Sequence, residues 1–138
     1  RRRGGAPVLN PRGALSELDG TWVPIAADVS GQALVVRDLR VARLVLDRGG
    51  YEIIDCSDAI VDRGDIRIDR SATPPTMDIV GIAGPNAGRT MLAIFELDGD
   101  RLTVCYDLDG AVRPANMQPQ EEQLLLSITY ARAAVTLS

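Results

Sequence analysis

The chain has no histidine and no lysine, and all 15 of its basic residues are arginine. Without histidine it builds no Ser-His-Asp or Cys-His nucleophile, no His-ligated zinc or haem site and no near-neutral imidazole acid/base. Without lysine it forms no Schiff base and holds no pyridoxal phosphate. Any catalysis is left to Asp, Glu, Tyr, Arg, Cys, backbone dipoles or shape, and no cofactor is expected. Aromatics are scarce: one Trp, one Phe and three Tyr. Cys56 and Cys105 are too few for a disulfide scaffold, and free thiols are the expectation. No apolar run approaches the ~20 residues of a membrane span. A net charge of −4 argues against a nucleic-acid partner. The arginines at residues 1–3 lack aromatic partners and an apolar segment behind them, so they read as a solvated tail. Cytoplasmic is the default location, with a trimmed leader as the alternative.

What remains is an ordinary globular composition, 46% apolar and 25% charged, over 138 residues. That length fits one domain. Residues 1–17 read as a flexible arm punctuated by Pro7, Pro11 and Gly13, with a short helical turn at 14–18 leading into a domain over 18–138. Eight strand-like segments follow, at 21–28, 40–47, 51–56, 65–69, 76–82, 89–97, 101–107 and 123–131. Turn signals separate them, among them Ser30-Gly31, Gly49-Gly50, Arg63-Gly64, Pro74-Pro75, Asp98-Gly99 and Asp109-Gly110. Short connections favour an up-and-down meander, closed as a barrel or folded as a sandwich. Residues 30–43 are ambiguous, because Leu34, Val35, Val36, Leu39 and Leu44 also fit a short amphipathic helix.

The stretch 84–106 carries the clearest hairpin signal. An Asp98-Gly99 loop would set Leu97 opposite Asp100, Phe95 opposite Leu102, Ala93 opposite Val104 and Met91 opposite Tyr106. Opposed residues share a face, so Met91, Ala93, Phe95, Leu97, Leu102, Val104 and Tyr106 form an apolar inner face. Thr90, Leu92, Ile94, Glu96, Arg101, Thr103, Cys105 and Asp107 form the other, with a Glu96–Arg101 pair suited to water. The last strand adds Leu124, Leu126, Ile128 and Tyr130 inward and Ser127 and Thr129 outward.

Several pieces then fall in a familiar order: Leu18-x-Gly20-Thr21-Trp22, Gly84-x-x-x-Gly88-x-Thr90, Ile94-Phe95-Glu96-Leu97-Asp98-Gly99-Asp100-x-Leu102, Cys105, Arg113-Pro114 and a Leu-rich strand ending at Arg132. Over residues 18–132 the chain resembles the uncharacterised lipocalin-like domain family first catalogued in planctomycetes. That resemblance implies an all-β fold, a single up-and-down antiparallel barrel of about eight strands. Members often follow a secretion or lipoprotein leader and have no established activity; here no leader is seen. Ala115-Asn116-Met117 stands where the family tends to an aromatic. Gly20-x-Trp22 is also similar to the lipocalin signature, which implies that Trp22 plugs the barrel and Arg132 covers it. The arginine bias, with abundant Ala, Gly, Val and Asp, points to a GC-rich bacterial genome.

Other motifs have plainer readings. Asp98-Gly99-Asp100 and Asp107-Leu108-Asp109-Gly110 lack the ligand set and closing Glu of a calcium loop, and turn chemistry explains them. Gly81-x-x-Gly84-x-x-x-Gly88 leads into a strand, so a flexible turn outweighs a phosphate cradle. Cys56, flanked by Asp55, Ser57 and Asp58, has no histidine to activate it. The inward hydroxyls of Tyr106 and Tyr130 are either satisfied core groups or polar handles of a pocket. That pocket would be lined by Met91, Ala93, Phe95, Val104, Leu126 and Ile128, with Leu34–Val36 and Met117 near its mouth. The expected function is binding of a small hydrophobic molecule inside the barrel. Alternatives are a cofactor-free cyclase or isomerase of polyketide or terpenoid metabolism, using Tyr106, Tyr130 and an inward Glu96 or Asp78, and an interaction module with a solid core. If Ala93 faces a cavity, Ala93→Phe is expected to cost little stability.

Overall fold

A computed structural model describes residues 17–109, 112–118 and 123–133. The tail at residues 1–3, the rest of the arm to residue 16 and Gly110 lie outside the described residues. The strands are β1 (Gly20–Val29), β2 (Gln32–Leu34), β3 (Arg43–Asp47), β4 (Gly50–Ile54), β5 (Ile60–Asp69), β6 (Thr76–Ala83), β7 (Thr90–Asp98), β8 (Arg101–Asp107) and β9 (Leu125–Arg132). All pairings are antiparallel between neighbours in sequence, except that β1 pairs with β3 and closes on β9. The result is an eight-stranded up-and-down barrel of lipocalin-like form, with β2 as a short extra strand on β1. No helix among the described residues is long and apolar enough to cross a membrane.

Each expected strand is present, with three corrections. Residues 32–39 form β2 and a single 3-10 turn at Val36–Leu39 in place of an amphipathic helix. Arg40 ends that turn in a left-handed conformation (φ 57°), so β3 begins at Arg43. β5 begins at Ile60, and Arg63-Gly64 lies within it rather than at a turn.

The hairpin register also differs. Asp98 pairs with Arg101, Leu97 with Leu102, Phe95 with Val104 and Ala93 with Tyr106. The loop is therefore Gly99-Asp100, with positive φ at Gly99 (59°) and not at Asp100, as when glycine opens a two-residue turn. Every expected pair is displaced by two residues. Because side chains alternate with period two, this leaves both faces as assigned. It separates Glu96, opposite Thr103, from Arg101, opposite Asp98.

The inner face packs into one core that includes Trp22, Leu46, Tyr51, Ile66, Met77, Phe95, Leu102 and Ile128. β1 reaches this core twice because the β1–β9 register shifts between Pro24 and Ala26. Ile25 and Ala26 both face out, and Trp22, Pro24 and Ala27 all face in. On the outer face Ile94, Cys105 and Leu125 are buried together with Met117 packed on them. Arg113 pins that covering segment, donating to Ala93 O at 2.8 Å and pairing with Asp78 at 2.6 Å. Leu124, expected inward, is 59% exposed just before β9 begins.

Trp22 is fully buried, and its indole N–H donates to Leu18 O at 2.8 Å. The Arg132 guanidinium lies 4.2 Å from its ring centroid. Arg132 also donates to Asp19 O (2.9 Å), Glu17 O (2.8 Å) and Asp100 Oδ1 (3.2 Å). One planar fork thus stacks on the buried indole and ties two chain segments to it. Arg132→Ala should lower unfolding free energy by about 1–3 kcal/mol in urea denaturation. Arg132→Lys should recover less than half of the loss, since an ammonium cannot span the same acceptors; full recovery would show that charge alone matters.

Candidate functional site

Behind the inner face lies a cavity of about 200 Å³. Its buried wall includes Leu44, Leu46, Tyr51, Ile66, Met77, Met91, Val104, Ile128 and Tyr130, and partly exposed Val41, Ile53, Asp62, Ile79, Asn86 and Tyr106 mark its rim. The wall is aliphatic apart from the three tyrosines, Asp62 and Asn86. Asp62 is the one formally charged side chain among these residues.

Asp62 points inward because it pairs with Ile53 across β4–β5, and both line the cavity. Its carboxylate accepts from Asn86 Nδ2 at 2.8 Å and from Tyr51 Oη at 3.3 Å. Two glycines set up these contacts. Gly64 sits opposite Tyr51, where an added Cβ would be 2.9 Å from the ring and 1.9 Å from Val80 O. Gly81 lies under the β6–β7 loop, where a Cβ would fall 2.0 Å from Asn86 O. The glycine-rich stretch at 81–88 thus folds a loop onto the barrel and delivers Asn86 to Asp62.

Tyr130 is buried and Tyr106 half-buried, and neither hydroxyl has a hydrogen-bond partner among the described residues. Burial pushes the Tyr106 phenol up to about 12, helped by the Asp62 charge and partly offset by the exposed Arg89. Burial likewise raises Tyr130, with a smaller contribution from Tyr106. Tyr51 is raised by burial and by the Asp62 carboxylate it donates to. The cavity thus presents two neutral hydroxyls with no partner among the described residues, beside the acid side chain of Asp62, all able to meet a polar group on an apolar guest.

Of the residues expected to line a pocket, Met91, Val104, Tyr106, Ile128 and Tyr130 do so. Ala93, Phe95 and Leu126 face inward and are packed in the core, but they do not line the cavity. Met117 packs on the outer cluster, Glu96 is exposed on the outer face, and Asp78 is held outside by Arg113. Leu34 and Val35 are exposed and Val36 is half-buried; none of the three lines the cavity, and Val41 lines the rim in their place. Cys56 and Cys105 are free, the first exposed and the second buried. Asp55 serves its own turn, accepting from Ser57 N, Ser57 Oγ and Ala59 N. Asp107 likewise accepts from Asp109 N and Gln123 Nε2.

Sequence reasoning missed Asp62, Asn86 and Tyr51. The signal for Asp62 is the alternation Asp62, Gly64, Ile66, Ile68, a polar residue heading an otherwise inward series. No family model, curated protein or solved structure matches the chain.

All three tyrosines of the chain sit in this wall, which gives a direct spectroscopic check. Unfolded tyrosine loses its proton near the ordinary value of 10.0, whereas Tyr106 holds it to about 12 in the folded barrel. Between these values the unfolded state binds fewer protons, so stability falls as pH rises. Absorbance of the native protein at tyrosinate wavelengths should stay flat through pH 10 and rise only as the barrel opens. Gradual native titration around pH 10 would contradict the buried setting. Ala93 gives a second check: it is fully buried in packed core, so Ala93→Phe should lose about 1–3 kcal/mol in thermal melting, reversing the expectation from sequence.

Proposed function

We propose that the protein is a lipocalin-like container that binds a small, largely hydrophobic molecule inside the barrel. The observation that carries this reading is the aliphatic cavity of about 200 Å³, lined by a buried Tyr130 hydroxyl that has no hydrogen-bond partner among the described residues. Buried hydroxyls normally find a partner, and a polar group on a bound guest would supply one. The volume suits a guest somewhat larger than benzene, which occupies an engineered cavity of about 150 Å³. Membership of the planctomycete lipocalin-like domain family belongs to the same proposal and rests on the order of motifs from Gly20-x-Trp22 to Arg132.

A second reading shares the site. In a cofactor-free cyclase or isomerase, Tyr106 or Tyr130 would donate to a carbonyl and Asp62 would act as base, the role first considered for Glu96 and Asp78. Its support is the meeting of neutral donors and a carboxylate in one cavity. The solid-core alternative has the cavity against it.

Titration calorimetry with 1-octanol and butylbenzene tests the container. Wild-type protein should show saturable single-site binding. Val104→Phe, which sets a ring into the cavity, should weaken it at least about tenfold. Absence of saturable binding for both compounds refutes the proposal.

A further inference from the structure

We infer that the cavity selects its guest by head-group charge, taking a small amphiphile with a cationic head, an alkyl- or arylalkyl-ammonium, with that head at Asp62. This rests on the container reading and goes beyond it by naming the ligand class.

The argument starts from the sign of the site. Among the described residues, Asp62 is the one formally charged residue lining the cavity, and no arginine lines it. Among the described residues no ion pair engages Asp62, whereas Asp58, Asp78, Asp100 and Glu17 each have an arginine within ion-pair range. The Asp62 partners are the neutral donors Asn86 and Tyr51. A carboxylate has about four acceptor sites, and two donors leave room for a third and a fourth.

An ammonium head fits what is left. It carries three N–H donors and no acceptor, matching the remaining Asp62 sites and the unengaged oxygen of Tyr106, which lies within electrostatic range of Asp62. Asp62, Asn86 and Tyr106 are only partly buried, so the head is not fully stripped of water, which limits the cost of placing a charge there. The tail then follows the aliphatic wall toward Ile66 and Met77. A carboxylate-headed guest of the same length meets the opposite situation. It would set two anions together at a rim with no cation among its described lining residues, and Arg89, whose charge acts on Tyr106, is exposed and outside the wall.

The test compares three probes that share one tail: octylamine as its ammonium, 1-octanol and octanoate, titrated calorimetrically at neutral pH and low salt. The ammonium should bind about tenfold more tightly than the alcohol, and octanoate more weakly than either. Asp62→Asn, checked for folding by thermal melting, should shrink the ammonium-over-alcohol ratio to about threefold or less. Added salt should weaken ammonium binding and leave octanol nearly unaffected. Octanol binding without preference for the ammonium, or a preference that survives Asp62→Asn, overturns this inference while the container stands. Failure of all three probes overturns both.

Discussion

The ladder between β1 and β9 is the constraint on which the remaining structure depends. It turns a meander with two open edges into a closed wall, and only closure gives this sheet an inside. β1 meets it with a local irregularity: Pro24, which has no N–H to offer, lies beside the register shift that pushes Ile25 and Ala26 outward together. That shift resets the alternation, so both halves of the strand feed the same core. The same ladder sets Trp22 directly opposite Arg132. The stacked guanidinium is thus a consequence of register, and a slip of one residue would turn it to the other face.

Charge is distributed around this wall in a consistent way. Among the described residues the arginines with ion-pair partners, Arg43, Arg48, Arg70, Arg113 and Arg132, meet carboxylates that face outward or lie at its margin. Asp62, the one carboxylate among the described lining residues of the cavity, is met by amide and phenol donors. An inward arginine would neutralise Asp62 and fill the space beside it. The chain uses short neutral groups instead, held in place by backbone approaches that Gly64 and Gly81 alone permit. The site keeps both its charge and its volume.

Much of the wall was legible in sequence because alternation and turn chemistry are local signals. The inner face of β7–β8 survived a mistaken register, since an error of two residues does not change faces. The stacking of Arg132 on Trp22 was legible through Gly20-x-Trp22 and a distant Arg132. The rim was not. Asp62 was hidden because Arg63-Gly64 reads as a turn, whereas Gly64 is there to receive the Tyr51 ring across the β4–β5 ladder. Asn86 depends on how a loop folds back onto Gly81, a tertiary fact without local pattern. Met117 was placed at the mouth by its position after Arg113-Pro114, but the Arg113–Asp78 pair carries that segment over the outside.

The cavity itself follows from composition acting through closure. An eight-stranded barrel has an interior that side chains can just fill, and large aromatic rings fill it most effectively. This chain has five aromatics. Trp22 and Phe95 are spent on packed core and do not line the cavity, and the three tyrosines stand in its wall. Between them the wall is built of Leu, Ile, Val and Met, whose volumes fall short of the available width. Tyrosine in place of phenylalanine at Tyr106 and Tyr130 adds hydroxyls that the aliphatic neighbours cannot satisfy. The shortfall in volume and the surplus of hydrogen-bonding capacity therefore coincide in one place, where a guest with an apolar tail and a polar head would relieve both.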